Sequence, residues 1–230
     1  MGQIRVIGHR GCGMGRLENT LRSIKEALEL GADGVEIDVH ASLDGEIVVI
    51  HDPDLERTTN GSGFVNQKTL KQLKKLDAGE GELIPTLQEV IEEIIEHPHS
   101  LLNIEIKPPD IEQQVLNIIN EYDIMDRVII SSFLHSPLSV FRKLNGEIIT
   151  GLLYSYSLDN PVKLAQELDV NALHPLFPLV TTELVEQCRK AKLLINPWTV
   201  DDESEMKRLI DLGVDNIITD FPNLLLKLLR

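Results

Sequence analysis

Acidic and basic side chains alternate within two apolar runs of this sequence. Glu36 and Asp38 lie in one run, and Glu105 and Lys107 lie in another. Because successive residues of a strand point to opposite faces, the two members of each pair share a face. Three carboxylates in one site would repel one another and raise their own pKa values unless a cation lay among them. These residues therefore predict either a metal site or a network of ion pairs.

The two interpretations differ in what neutralises the carboxylates. An all-oxygen ligand set without cysteine suits a hard cation, which is Mg²⁺, Ca²⁺ or Mn²⁺ rather than zinc. In the alternative, the three carboxylates pair with Arg10 and Lys107 in a purely structural network. Both interpretations require the three carboxylates to lie together in the fold.

Two histidines are predicted beside these carboxylates. His9 ends the first apolar run, and His51 follows a predicted hairpin that returns toward Asp38. A pair of imidazoles that flank a reacting phosphorus can act as general base and general acid at neutral pH. Arg10 and Lys107 would supply the positive charge that a phosphate group needs. Together these residues predict phosphoryl-ester chemistry.

The charge of the whole chain limits its partners. It holds 22 Lys and Arg against 37 Asp and Glu, a formal net charge of −15 over 230 residues. A surface of this sign repels nucleic acids and anionic lipids. No run approaches the ~20 apolar residues of a membrane-spanning helix, and the N-terminus lacks a signal-peptide pattern. We expect a cytoplasmic protein that binds a small molecule, without nucleic acid or stable membrane anchoring.

Cys12 and Cys188, which lack a CxxC pattern, are expected to be free thiols.

Short apolar, β-branched runs alternate with longer amphipathic segments along the chain. The predicted strands cover residues 4–8, 33–40, 101–106, 127–131, 147–153, 170–174, 193–198 and 215–220. The predicted helices cover residues 19–30, 86–97, 110–121, 135–144, 159–168, 181–191, 202–212 and 222–229. Eight strand and helix units predict an α/β fold, the (β/α)8 or TIM barrel, whose functional residues lie where the strands end.

A doubly wound open sheet is the alternative architecture. That fold tends to carry a GxGxxG phosphate-binding loop after its first strand. Residues 8–15 have the sequence GHRGCGMG. If Gly11 and Gly13 were the first two glycines of the motif, the third would stand at position 16, which is Arg16. The incomplete motif favours the barrel.

One segment, residues 41–52, breaks the alternation because it leaves no room for a helix. Its Asp44-Gly45 pair between alternating apolar residues is a strong hairpin signal. A two-residue turn there would place Asp38 opposite His51, about 5 Å apart. Residues 52–85 then form a small insertion after the second strand, able to cap the barrel mouth. We expect one TIM-barrel domain over residues 1–230 that carries this insertion.

These residues belong to a longer ordered series of short motifs. The series is His9-Arg10-Gly11, Glu18-Asn19-Thr20, Glu36-Ile37-Asp38-Val39, His51-Asp52, Glu105-Ile106-Lys107, Trp198-Thr199-Val200, Gly213-Val214-Asp215 and Thr219-Asp220-Phe221-Pro222. Each motif alone is weak, but the complete series resembles the glycerophosphodiester phosphodiesterase family from residue 9 to residue 222. One departure is Leu17, where the family often has proline. The absence of proline changes the stiffness of the loop at most. Residues 18–20 are still expected to cap the first helix.

The resemblance implies a TIM barrel that hydrolyses glycerophosphodiesters to glycerol 3-phosphate and an alcohol with a divalent cation. The positions that match the family's site residues are Glu36, Asp38 and Glu105 for the metal, His9 and His51 for catalysis, and Arg10, Lys107 and Trp198 for the substrate. Relatives that act as lysophospholipase D or as phospholipase C-like phosphodiesterases use similar barrels, so both activities remain alternatives. Direct attack by water and a route through a cyclic phosphate also remain open.

Two further classes of function are compatible with a barrel. A non-catalytic barrel that binds phosphorylated metabolites would be expected to lack a catalytic or ligand residue, whereas this chain has them all. A barrel enzyme of carbon–carbon chemistry could use Lys107 for a Schiff base but would leave His9 and His51 without a role.

Four other residues could lie near the site. His40 shares a face with Glu36 and Asp38 but belongs to the hairpin, so we expect it at the rim rather than as a ligand. His174 ends the sixth predicted strand and fits either the barrel mouth or the core. Phe133 and Phe177 are expected to pack in the fold rather than contact substrate.

Overall fold

The predicted (β/α)8 barrel is confirmed by a computed structural model, which describes residues 4–12 and 17–230. Gly13 and Arg16 of the incomplete glycine motif lie outside the described residues. The barrel strands are β1 (Arg5–His9), β2 (Gly34–Ala41), β4 (Leu101–Ile106), β5 (Val128–Ser132), β6 (Ile149–Tyr154), β7 (Ala172–Pro175), β8 (Leu194–Ile195) and β9 (Asn216–Thr219). A ninth strand, β3 (Ile47–Val49), pairs with β2 outside the barrel.

Hydrogen bonds connect the barrel strands in the order β8-β7-β6-β5-β4-β2-β1-β9, with every neighbouring pair parallel. Backbone bonds also join the two ends of this series. Asp215 donates its N–H to the carbonyl of Ile195 at 3.0 Å, and Ile218 donates to Pro197 at 3.0 Å. The closed arrangement brings the carboxyl ends of all eight strands to one face.

Helices alternate with the strands. They are α1 (Leu21–Glu29), α3 (Leu87–Ile95), α4 (Glu112–Glu121), α5 (His135–Leu144), α6 (Pro161–Glu167), α7 (Thr182–Ala191), α8 (Glu203–Leu212) and α9 (Pro222–Leu228), with a one-turn helix α2 (Leu70–Leu73) between β3 and α3. In α1, Ile24, Ala27 and Leu28 are spaced for one face and are buried in the core. Thr20 caps this helix by accepting the Ser23 N–H, so Leu17 does not prevent capping.

The hairpin is present, but the predicted register is wrong by one residue. Val39 lies opposite Val49, and Ile50 donates its N–H to the carbonyl of Asp38 at 3.0 Å, so Asp38 does not face His51. The cause is a three-residue loop, closed by the Ser42 N–H on Glu46 at 2.9 Å. Gly45 adopts φ 85°, a left-handed conformation that glycine permits and that accommodates the extra loop residue.

The segment between β3 and α3 has its own small apolar cluster. The cluster consists of Val48, Ile50, Leu55, Val65, Leu73, Ala78 and Ile84, all of which are buried. Val48 and Ile50 belong to or adjoin β3, so the cluster joins this segment to the hairpin. The segment is thereby held next to the carboxyl end of β2.

Both cysteine thiols are free and buried, as expected from their spacing. Burial raises the pKa of Cys12 to about 11 and that of Cys188 to about 12. Neither thiol is therefore ionised at neutral pH, which agrees with a packing role.

Candidate functional site

The three predicted carboxylates lie together at the carboxyl end of the barrel. Register in the β2–β4 pair sets Asp38 beside Glu105 and Glu36 beside Asn103. Carboxylate oxygens of Glu36, Asp38 and Glu105 lie within 4.8 Å of one another, and all three residues are buried. The strand alternation that predicted a common face is responsible for this convergence.

Basic groups contact the carboxylates, as the ion-pair interpretation predicted. Lys107 Nζ lies 2.8 Å from Asp38 Oδ1 and also pairs with Glu105 Oε1. Arg10 Nε lies 3.3 Å from Asp38 Oδ2, and the Arg10 backbone N–H donates to Glu36 Oε2 at 3.0 Å. Asp38 is contacted by both basic side chains and is the centre of the cluster.

The basic groups do not neutralise the cluster fully. Burial and the charge of Asp38 raise the pKa of Glu36 to about 7 and that of Glu105 to about 8. Burial would also raise the pKa of Asp38, but Lys107 and Arg10 hold it well below its usual range. Ionisation of all three carboxylates would therefore leave excess negative charge in the cluster, and a bound cation would stabilise that ionised form. The donor set fits a hard divalent ion.

His9 lies beside the carboxylates at the end of β1. Its Nδ1 donates to Asp220 Oδ1 at 2.7 Å, while its Nε2 accepts from Arg10 Nε at 3.2 Å and lies 3.9 Å from Glu36 Oε2. Burial opposes protonation, but the hydrogen bond to Asp220 and the charge of Glu36 raise the pKa of His9 above its ordinary value. Asp201 orients Asp220 by accepting its backbone N–H at 2.9 Å.

His51 reaches the other side of the cluster although its predicted position in the hairpin was wrong. Strand β3 ends at Val49, so the alternation of side chains no longer determines where His51 points. The nearby charge of Asp38 favours the protonated imidazole, but burial lowers the pKa of His51 below its ordinary value. Its Nδ1 donates to Asp52 Oδ1 at 2.5 Å. Each histidine is therefore held through Nδ1 by an aspartate.

Sequence analysis missed the residue that connects the two sides of the site. Arg57 donates from Nε to Asp52 Oδ2 at 2.5 Å and from Nη1 to Glu18 Oε2 at 2.8 Å. Glu18 in turn accepts from Arg10 Nη1 at 2.6 Å. The only available signal was that Arg57 is the one basic residue between positions 52 and 67.

Two aromatic rings lie at the rim near His9. The Trp198 ring packs edge to face against Phe133, with centroids 5.3 Å apart at 87°. Trp198 donates its indole N–H to the carbonyl of His174 at 2.8 Å. Phe133 therefore packs, as expected, but it packs at the mouth and stays partly exposed. Phe177 packs against the main core.

His40 lies at the rim, where its Nε2 is 3.1 Å from the carbonyl of His51.

His174 lies in the floor of the site, where it lines a small cavity together with Glu36, Glu105 and Trp198. Asn196 donates from Nδ2 to His174 Nε2 at 2.9 Å. A Cβ at position 151 would lie 2.4 Å from that Nε2, so Gly151 leaves the necessary room.

Burial lowers the pKa of His174 to about 3. The unfolded chain therefore binds a proton that the folded protein excludes, so this residue makes the free energy of unfolding fall as pH falls from 6.5 toward 3. The expected loss is at most about 1.4 kcal/mol per pH unit. Urea unfolding at several pH values should show a smaller slope in His174→Gln and an unchanged slope in His135→Gln, an exposed control. Equal slopes in all three proteins would contradict the buried, neutral state of His174.

No helix among the described residues is long and apolar enough to span a membrane.

Comparisons with known proteins agree with this geometry. The sequence model of the glycerophosphoryl diester phosphodiesterase family matches residues 9–224. A glycerophosphodiester phosphodiesterase of Caldanaerobacter subterraneus subsp. tengcongensis is 46% identical over 98% of this chain and 97% of its own length. Another from Bacillus altitudinis is 36% identical over 97% of both chains.

Solved structures show the same fold. An Oleispira antarctica phosphodiesterase in complex with the product sn-glycerol-3-phosphate superposes with a TM-score of 0.91 at 32% identity, over 97% of this chain and 95% of that chain. A glycerophosphodiester phosphodiesterase from Thermotoga maritima gives a TM-score of 0.85 at 32% identity over 99% of both. Because the family match, the relatives and the structures all cover nearly the whole sequence, the chain belongs to the glycerophosphoryl diester phosphodiesterase family and is a phosphodiesterase enzyme.

Proposed function

We propose that the protein hydrolyses glycerophosphodiesters to glycerol 3-phosphate and an alcohol with the help of a divalent cation. The observation that carries this proposal is one cluster of three buried carboxylates with two histidines nearby, His9 at 3.9 Å from Glu36 and His51 beside Lys107, each held through Nδ1 by an aspartate. The product found in the Oleispira antarctica structure and the names of the relatives support glycerol 3-phosphate as the product here.

Glu36, Asp38 and Glu105 would hold the cation, which is Mg²⁺, Ca²⁺ or Mn²⁺ by the chemistry of the ligands. When bound, such an ion offsets the negative charge of the phosphate and of the transition state. Arg10 and Lys107 already pair with the carboxylates, and their remaining N–H groups would bind phosphate oxygens. Trp198 would contact the substrate at the mouth.

His9 and His51 would move the protons of the reaction. One imidazole accepts a proton from the attacking water or hydroxyl, whose oxygen forms the new bond to phosphorus. The other donates a proton to the alcohol oxygen as its bond to phosphorus breaks. Asp220 and Asp52 keep a proton on Nδ1 of each ring, so that Nε2 would be the atom for transfer. In His9 this Nε2 accepts a hydrogen bond from Arg10 Nε at 3.2 Å, which the reacting oxygen would have to replace.

The direct test is release of glycerol 3-phosphate from a panel of glycerophosphodiesters, with and without chelator. We expect release that stops when the chelator is added and returns when the ion is restored. A protein that binds these diesters without any release would instead be a binding barrel.

Arg57 is expected to act as a positioning residue for His51. Arg57→Met should lower kcat roughly 10–100-fold with little change in KM, as losses of comparable orienting groups do, because Asp52 would lose its bidentate partner. Arg57→Lys should recover part of the activity. Arg22→Met is the matched control, since Arg22 forms an exposed ion pair with Glu80. Wild-type kcat in Arg57→Met would show that Asp52 orients His51 without help.

A further inference from the structure

A large cleft opens beside His51 and Lys107. Its volume is about 590 Å³, which is in the range of pockets that hold drug-sized ligands, roughly 300–1,000 Å³. The described residues that line it include three prolines (Pro53, Pro108 and Pro109), Phe64, Asn66 and Ile111. It therefore lies between the segment that follows β3 and the loop that follows β4.

The walls of this cleft are apolar. Its apolar lining includes Pro53, Pro108, Pro109, Ile111 and the half-exposed ring of Phe64. None of the described lining residues carries a carboxylate. The Lys107 ammonium at the inner end pairs with Asp38 and Glu105 rather than pointing along the walls. The described part of the wall thus offers no carboxylate to a cationic ligand.

The walls are also rigid. Proline has a fixed φ, so Pro53, Pro108 and Pro109 lose little conformational freedom when a ligand binds. The cleft is far larger than a glycerol molecule of six heavy atoms needs. A phosphate held at Lys107 and His51 would have one of its two ester groups directed into this cleft, and the available space suits the larger group.

We infer that this cleft binds the departing alcohol of the diester and that the enzyme prefers substrates whose alcohol is uncharged and apolar; this inference rests on the proposed function. In the reaction, the attacking oxygen gives its proton to the general base and bonds to phosphorus, the bond from phosphorus to the alcohol oxygen breaks, and that alcohol oxygen takes up a proton from the general acid. Apolar contact with the walls stabilises an alkyl alcohol, whereas a choline-like cation loses hydration without gaining a carboxylate partner.

The test compares kcat/KM for glycerophosphodiesters of hexanol and of choline. We expect the hexyl diester to be favoured about tenfold or more, mainly through KM, since each buried methylene contributes about 0.8 kcal/mol, or about fourfold. Phe64→Ser should lower kcat/KM for the hexyl diester about fivefold and change the choline diester less than twofold. Leu83→Ser, which removes another exposed apolar side chain of the same segment, is the control.

A second variant is expected to gain activity. Asn66→Asp is isosteric and introduces a carboxylate into the cleft, so it should raise kcat/KM for the choline diester about threefold or more at low salt. Gln67→Glu adds the same charge to the same turn of the chain, but at a position that does not line the cleft. It should therefore raise kcat/KM for the choline diester less than Asn66→Asp does.

The outcomes distinguish this inference from the proposed function. Release of glycerol 3-phosphate with no preference between the two alcohols would overturn the inference and leave the proposed function intact. The inference also fails if Phe64→Ser slows both diesters equally, or if Asn66→Asp and Gln67→Glu behave alike. Absence of release from every diester would overturn both.

Discussion

Glu36→Ala, Asp38→Ala and Glu105→Ala should each weaken the binding of a divalent cation by well over tenfold. Each substitution removes one anionic oxygen ligand from a site of three. Loss of a group that only supports a ligand already costs roughly 10–100-fold in affinity, so loss of a ligand should cost at least as much. Calorimetric titration of each variant with Mg²⁺, Ca²⁺ and Mn²⁺ measures the effect and identifies the preferred ion.

The three substitutions should differ in stability. Asp38 pairs with Lys107 and Arg10 and also accepts from Asn19 Nδ2 at 2.8 Å, so Asp38→Ala takes one partner from each of two partly buried basic groups. An uncompensated buried charge costs about 3–5 kcal/mol, and we expect a smaller loss here because Lys107 keeps Glu105 and Arg10 keeps Glu18. Glu36 makes fewer such contacts, and Glu36→Gln preserves its volume while it removes the charge.

These differences keep the metal hypothesis testable even if Asp38→Ala fails to fold. The exposed Glu26→Ala serves as the control for a general loss of negative charge. If folded Glu36→Gln and a corresponding Glu105→Gln bound every ion as tightly as the unmodified protein, the carboxylates would be structural partners of Arg10 and Lys107.

His9→Ala and His51→Ala should each lower kcat by about 10²–10⁴-fold while cation affinity stays nearly the same, because general acid and general base catalysis contribute on that order. The double variant should lose less than the product of the two single losses, since both groups act in one reaction. His135→Ala, an exposed histidine, is the control. Stopped assays of glycerol 3-phosphate release, combined with ion titration of each variant, measure both properties.

Two further measurements separate the roles of the histidines. If one must be neutral and the other protonated, kcat/KM should have a bell-shaped pH dependence around neutrality. A diester whose alcohol departs without protonation should partly rescue the variant that lacks the general acid but not the one that lacks the base. Turnover near that of the unmodified enzyme in either single variant, on an unactivated diester, would remove that histidine from the mechanism.

The order of the barrel elements was predictable because it depends on local patterns. Strand β4 and helix α5 have the predicted bounds, residues 101–106 and 135–144. Apolar, β-branched runs in strands and helical spacing of apolar residues in helices involve side chains that are near one another in sequence. The carboxylate cluster was predictable for a related reason, since parallel strands of a barrel end on one face whatever their exact register.

The sequence by itself therefore determined the barrel, the face on which the candidate site lies and the convergence of Glu36, Asp38 and Glu105 there. Only the tertiary structure decided the partners of those side chains. His9 pairs with Asp220, which is 211 residues away in the sequence, and Arg57 pairs with Glu18, which is 39 residues away. Local periodicity contains no information on such pairs, because packing of distant segments selects them. The hairpin register also depended on one extra loop residue at Gly45, and His51 reaches the cluster through the chain beyond β3 rather than through strand pairing.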